Sequence, residues 1–172
     1  MVQMFMKSPF SKQAVEFSRN WRNYVFQSAF ATLVVFAFLW LLRSENLIIV
    51  ASLGSTAFVV FAMPETLTAQ PRNVIGGQLI GLGCGALGFL AEEAGLPFLS
   101  VPVVEVGVYA IAVGLSIFLM VVLDMEHPPA SGTALGIATQ GFSMPVLPVV
   151  VAGSVLMSLV HYLARRWLKN LA

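Results

Sequence analysis

His127-Pro128-Pro129-Ala130-Ser131-Gly132-Thr133-Ala134-Leu135 is the stretch on which the fold turns. It opens a short apolar run, Pro128 to Gly141, built mostly from small residues and Ser/Thr. Two consecutive prolines suit the first turn of a helix, where a missing N–H costs nothing and φ is already set. Whether this run counts as a crossing of an apolar phase decides the direction of every element after it.

The surroundings define that phase. Of 172 residues, 58% are hydrophobic and 10% charged, against about 25% charged in soluble domains. The mean hydropathy is +0.88. Seventeen charged residues, nine basic and eight acidic, cannot cover the surface of a soluble globule. A net charge of +1 without a basic face excludes nucleic acid as a partner. A single cysteine, Cys84, excludes a disulfide framework. An integral membrane protein remains, with helices of about 20 apolar residues per crossing.

Six apolar runs follow in order: Tyr24–Leu42, Leu47–Met63, Val74–Ala91, Val101–Leu123, Pro128–Gly141 and Pro145–Leu163. Residues 1–23 contain no apolar core of a signal peptide. Phe10, Ala14, Phe17, Trp21 and Tyr24 recur at helical spacing, with Lys12, Arg19 and Arg22 off the stripe. This predicts an amphipathic interfacial helix ahead of a membrane domain over 24–164, followed by a basic tail over 165–172.

With a cytoplasmic N-terminus and six crossings, Lys7, Lys12, Arg19, Arg22, Arg72, Arg165, Arg166 and Lys169 fall inside and Arg43 alone outside. If Pro128–Gly141 only re-enters, the split becomes five against four. The positive-inside rule therefore favours six passes, with both termini cytoplasmic and a bacterial inner membrane as the expected setting. The runs fall into two sets of three, each with a short Ser/Gly/Thr segment in the middle: Ala51-Ser52-Leu53-Gly54-Ser55-Thr56-Ala57 and Ala130-Ser131-Gly132-Thr133-Ala134. Three crossings per set invert the second half relative to the first. The expected fold is thus an all-α 3+3 inverted repeat with short second and fifth helices.

In such repeats the short segments mark a transport site. Their N-terminal ends carry unpaired N–H groups and partial positive charge, which suit a small anion. Ser52, Gly54, Ser55, Ser131, Gly132 and Thr133 are therefore candidate anion contacts, with Gly54, Gly132 and Gly136 allowing close backbone approach. The same small residues also serve plain helix packing.

Ionisable and polar groups at membrane depth are costly and call for reasons. Asp124 ends a helix, where the dipole opposes it. It is read as a cap, as a partner for Arg72, or as part of a gate. The unperturbed pKa of a histidine lies near neutrality, so His127 is a candidate gate, proton carrier or ligand; the other reading is a hydrogen-bonded loop histidine that rigidifies the turn. Arg72 and Asn73 precede the third run, in the first turn of its helix, where Arg72 can attract an anion or pair with Asp124 or lipid phosphate. Asp124, Glu126 and His127 also permit an intramembrane enzyme or metal site, on spacing that matches no recognised ligand pattern. Gln78 is a buried amide that needs partners. Glu92 and Glu93 read as solvated, Glu105 as snorkelling, and His161 as a capping or snorkelling residue near the end of the last run.

His127-Pro128-Pro129-Ala130, then Gly132-Thr133-Ala134-Leu135, resembles the signature of the HPP family of integral membrane proteins. Gly54-Ser55, Pro64 and Ala69-Gln70-Pro71-Arg72-Asn73-Val74-Ile75-Gly76-Gly77 resemble that family's other marked block. The likeness runs from about Ser44 to the last helix. It implies transport of nitrite, the activity associated with the family in cyanobacteria and plant chloroplasts. Two departures fall near the expected pathway: Gln78 stands where a histidine often follows the Gly-Gly pair, and Ala130-Ser131-Gly132-Thr133 stands where a Gly/Ala pair is usual. The combined expectation is a transporter or channel for a small inorganic anion, embedded in a lipid bilayer as a homo-oligomer, with no cofactor, metal or enzymatic step. A purely structural membrane subunit is the further alternative.

Overall fold

The computed structural model describes residues 9–42, 47–94, 101–142 and 146–171. Lys7, Arg43 and Pro145, and the side chains of Phe10, Lys12 and Ala14, lie outside the described residues. Among the described residues the chain is all helix: α1 (Pro9–Leu42), α2 (Leu47–Ala62), α3 (Pro71–Glu93), α4 (Pro102–Val122), α5 (Pro129–Gln140) and α6 (Val146–Ala164), with one 3-10 turn at Leu67–Ala69.

Local chemistry sets several of these boundaries. Proline stands in the first turn of α3, α4 and α5. Gln70, just before Pro71, is extended at φ −66° and ψ 143°, as a residue preceding proline prefers. The α5 helix stops at Gly141, whose φ of 92° is open to glycine and strained for other residues. In α1 the backbone departs from helix at Asn20 (φ −120°, ψ 15°). The N-terminal helix and first span expected from sequence are thus two helices that meet across a kink at Asn20.

Among the described residues, four helices are long and apolar enough to cross a membrane: Val15–Trp40 within α1, then α3, α4 and α6. Their outer faces are bare hydrocarbon, with Val103 80% and Trp40 68% exposed. Patches of that kind belong against lipid, not water. This is an integral membrane protein. The two central helices are shorter: α2 has 16 residues and α5 has 12, about 24 Å and about 18 Å at the helical rise. Neither reaches the thickness of a hydrocarbon core, about 30 Å, as a straight helix.

The α5 helix is the buried centre. It packs most extensively on α3 and also on α2 and α4. Its Ala130, Thr133, Ala134, Gly136, Ile137 and Ala138 are all buried. Contact between α3 and α5 is backbone to backbone. A methyl group at Gly81 would collide with the carbonyl of Ala130, and one at Gly85 would lie 2.7 Å from the Ala134 oxygen. Glycine is required there by space. On the other flank, α6 packs on α2 and α3, and a cluster of Phe38, Val60, Phe61, Val74 and Met157 fills the junction.

The segment after α6 folds back onto α1 and α2. Buried Gln27 on α1 donates to the carbonyls of Phe61 (2.6 Å) and Lys169 (2.8 Å) and accepts from the Lys169 amide (3.0 Å). The Leu171 amide donates to Ala62 O at 2.8 Å. Two end carbonyls of α2 are thereby satisfied. Arg166 lies 4.1 Å over the Trp167 ring, a pairing at home in the interfacial zone.

Gly81→Ala is expected to lower stability by about 1–3 kcal/mol through overpacking. Gly83→Ala, where a methyl group meets nothing within 4 Å, is expected to leave it unchanged or slightly raised. Thermal unfolding in detergent compares the two.

Candidate functional site

Five polar side chains meet where α2, α3, α5 and the α4–α5 linker converge: Ser52, Thr56, Gln78, His127 and Thr133. All are buried, none more than 4% exposed. Ser52 and Thr56 stand one helical turn apart on the face of α2 that meets α5. Pro128 and Pro129 end the linker abruptly and start α5, which turns His127 inward while Asp124 stays in the open. Gln78 reaches the seam from α3, one turn before the glycine that lets α3 touch α5.

The bonds are short and continuous. Ser52 Oγ donates to Pro129 O at 2.5 Å and lies 2.8 Å from Thr133 Oγ1. Thr133 Oγ1 donates to Gln78 Oε1 at 2.6 Å. Gln78 Nε2 lies 3.2 Å from Thr56 Oγ1 and 3.4 Å from Ser52 Oγ. Thr56 Oγ1 lies 3.0 Å from His127 Nε2 and 3.0 Å from the Ser52 carbonyl. His127 Nδ1 lies 2.9 Å from the carbonyl of Thr68. A carbonyl only accepts, so Nδ1 carries a proton; in the neutral ring Nε2 is then an acceptor for the Thr56 hydroxyl. None of the five carries a formal charge when the imidazole is neutral.

An open groove of about 450 Å³ runs along the outer side of this seam, bounded by Ser52, Ser55 and Phe58 of α2, by Pro128 of the linker and by Pro129 and Gly132 of α5. Ser55 is exposed in its wall and Ser131 is half-buried in the first turn of α5. Gly132 faces Ser52 across the seam; a methyl group there would sit 3.6 Å from Ser52 Cβ, an ordinary contact.

Two expectations from sequence are corrected. The seam is not built from two helix N-termini. Ser52 lies in the sixth position of α2, where backbone amides are already committed to the helix. At the start of α5, Pro128 and Pro129 have no N–H. The next two amides are paired, Ala130 N–H to His127 O at 2.9 Å and Ser131 N–H to Pro128 O at 3.1 Å. Donors here are side chains. Gly54 also stands apart: it borders a cavity shared with Val35, Phe38 and Leu39 of α1, and a methyl group on it would meet nothing within 4 Å. Gly136 does mark a close approach, but to Ile48 and Ile49 in an apolar contact.

Arg72 and Asp124 form an ion pair at 2.9 Å, both side chains being well exposed. Arg72 also donates to Leu123 O at 3.1 Å, capping α4. Asp124 adopts a positive φ of 55° at the turn. Buried Asn73 donates to Glu126 O at 3.2 Å and so holds the linker, not the seam. His161, expected to cap or to snorkel, bonds Pro64 O at 2.9 Å from α6 and is buried, so it does not snorkel. Glu105 and Glu92 share the hydroxyl of Tyr109, at 2.8 and 2.7 Å, so neither is simply solvated. Among the described residues, no three His, Cys, Asp or Glu side chains are grouped to hold a metal. Asp124 turns outward to Arg72 while both ring nitrogens of His127 are engaged.

Thr56 was missed by the sequence reading, and Gln78 was left without partners. The signal for Thr56 was its spacing of four from Ser52, which places both on one face of α2.

An all-helical membrane protein with a buried, uncharged polar seam between two short helices is thus defined by fold and site. Across residues 14–170 the chain matches the family model described as HPP, transmembrane region, and it belongs to that family. It is 32% identical over 94 residues to a protein of Dictyostelium discoideum described as a transmembrane protein; the aligned stretch is 55% of this chain and 31% of that relative. No solved structure matches.

Replacing Thr133 by Val leaves the Gln78 amide oxygen without its strongest donor, at an expected cost of about 1–3 kcal/mol. Thr133→Ser keeps the hydroxyl and is expected to recover most of it. Unfolding midpoints of the two variants in the same detergent test this.

Proposed function

We propose that this protein moves a small monovalent inorganic anion, nitrite first, along the seam between α2 and α5. One observation carries the proposal: a buried, uncharged run of hydroxyl, amide and imidazole groups flanks an open groove at the meeting of the two short helices. Hydroxyl and amide donors can replace part of an anion's hydration shell without a permanent charge that would trap it. Nitrite as the anion rests on the family; the geometry supports the size and sign of charge only.

Ser52, Ser55, Ser131, Gly132 and Thr133 border the path. His127 gates it or supplies a proton, and Asp124 holds the linker that carries His127. Arg72 draws anions to the mouth from an exposed position, its charge partly answered by Asp124. Asn73 acts through the linker.

The helix pairings support an inverted repeat. Each short helix packs on the first helix of its own set, α2 on α1 and α5 on α4, and on the third helix of the other set, α2 on α6 and α5 on α3. The short helices also pack on each other, as do α3 and α6. A two-fold axis in the membrane plane would exchange these pairs; the packing of α3 on α4 is matched by no comparable packing of α6 on α1 among the described residues. The groove is open on one side, and we take a second copy of the chain to close it, in a bilayer with both termini cytoplasmic. No covalent chemistry is assigned to the seam, and neither a cofactor nor nucleic acid has a role.

In proteoliposomes, wild-type protein is expected to carry nitrite above the level of empty vesicles; equality with empty vesicles removes the substrate. Ser52→Ala is expected to lower flux by about ten- to a hundredfold, the size of one lost hydrogen bond to a charged ligand at about 1.5–3 kcal/mol. Arg72→Ala is expected to lower it less, and mainly at low ionic strength. Unchanged flux in both Arg72→Ala and His127→Ala removes their assigned roles.

A further inference from the structure

Proton bookkeeping along the seam does not close in one unique way. Thr56 has one hydroxyl hydrogen and two acceptors in reach, His127 Nε2 and the Ser52 carbonyl, each at 3.0 Å. Ser52 has one hydrogen and two acceptors, Pro129 O at 2.5 Å and Thr133 Oγ1 at 2.8 Å. Thr133 lies 2.6 Å from the Gln78 amide oxygen. The oxygen and nitrogen of a glutamine amide are nearly equal in size, so a half-turn of the amide exchanges them within the same space.

With a neutral imidazole the chain of donors runs toward the histidine. Thr133 O–H donates to Gln78 Oε1, the Gln78 N–H to Thr56 Oγ1, and the Thr56 O–H to His127 Nε2. Ser52 is then free to donate to Thr133 or to Pro129 O. One added proton on Nε2 makes it a donor, and Thr56 must accept from it. Two replies are open to Thr56. Its hydrogen turns to the Ser52 carbonyl, or the Gln78 amide turns over and presents its oxygen at the position now 3.2 Å away. In the second reply every bond reverses: His127 N–H to Thr56, Thr56 O–H to Gln78 oxygen, Gln78 N–H to Thr133, Thr133 O–H to Ser52, and Ser52 O–H to Pro129 O. Each hydroxyl hydrogen then has one acceptor and one of the two Gln78 N–H hydrogens donates to Thr133, and no non-hydrogen atom moves except by the amide exchange. The balance is one proton in from water at the linker and none out.

We propose that His127 is a proton-binding site and that Gln78 is the turning element of a relay whose direction reverses when that site fills. The proposal rests on the transport reading for its use: it makes a proton the co-ligand of the anion. The relay ends on Thr133 and, at the groove wall, on Ser52, so the hydroxyl an anion would meet depends on whether His127 holds its proton. The charged groups of the surrounding elements do not replace that proton. Arg72 on α3 and Asp124 on the linker are paired to each other at the exposed edge. Glu126 precedes His127 on the linker, and its backbone oxygen accepts from Asn73. Glu65 is exposed on the α2–α3 connection, and α5 carries no charged residue. On α6, His161 bonds Pro64 instead.

The chain has two histidines, so ring-nitrogen NMR on detergent-solubilised full-length protein, isotope-labelled at histidine and glutamine, reads the relay directly. His161→Asn assigns the signals. Titration from about pH 4 to about pH 9 spans an ordinary imidazole. Three results are expected: the neutral His127 ring protonated at Nδ1, a second proton arriving at Nε2, and the Gln78 side-chain amide signals moving with the same midpoint. Thr56→Val is expected to remove the movement of the Gln78 signals, and Thr56→Ser to keep it. The proposal is overturned if His127 holds one protonation state throughout, if the wild-type Gln78 signals ignore its titration, or if Thr56→Val leaves the coupling intact. Should Thr56→Val fail to fold, the wild-type comparison decides. No anion is present in these samples, so failure of the flux assay leaves this result standing, and the reverse also holds.

Discussion

Everything central in this protein depends on how close α3 comes to α5. The approach is possible because Gly81 and Gly85 offer no side chain where the Ala130 and Ala134 carbonyls lie. Interhelical association within lipid gains little from the hydrophobic effect, so dispersion contacts and hydrogen bonds must hold the helices. Backbone contact maximises the first. It also brings Gln78, one turn earlier on α3, within reach of α2 and α5 together. The polar seam is therefore a consequence of the glycine contact, and a side chain at Gly81 would disturb the two as one.

The seam is a way of keeping polar groups at depth without charge. A buried carboxylate or ammonium would require a partner and would hold an opposite ion too firmly for passage. Hydroxyls and an amide avoid this, and they satisfy one another when nothing is bound. Their cost is specificity of arrangement, since a buried donor or acceptor left alone is expensive. The charged pair of Arg72 and Asp124 stands outside this region, where exposure makes it weak in energy and useful mainly in shaping the linker.

Much of this was legible in the chain. The six helices fall where the apolar runs place them, with prolines starting three of them. The membrane class followed from scarce charge, and the family from two blocks of residues. His127, Ser52 and Thr133 were singled out and do meet. The N-terminal helix and the first span could be seen as separate periodic patterns, and the backbone does break between them, but the position of the break at Asn20 has no mark in composition. Gly54 looked equivalent to its neighbours because the local segment was rich in small residues. Only the helical phase of α2 against α1 turns it away.

Residue types and spacing by themselves determined which segments are helical, that they lie in lipid, and which polar residues require partners. Those properties follow from hydration and periodicity, which are local. Tertiary structure decided the partners. It placed Thr56 between His127 and Gln78, committed the first amides of α5 to its own linker, and turned Asp124 outward while His127 went in. The reason is geometric: hydrogen-bond reach is about 3 Å, far finer than the helical period, and it is fixed only when the backbones of α2, α3 and α5 have docked.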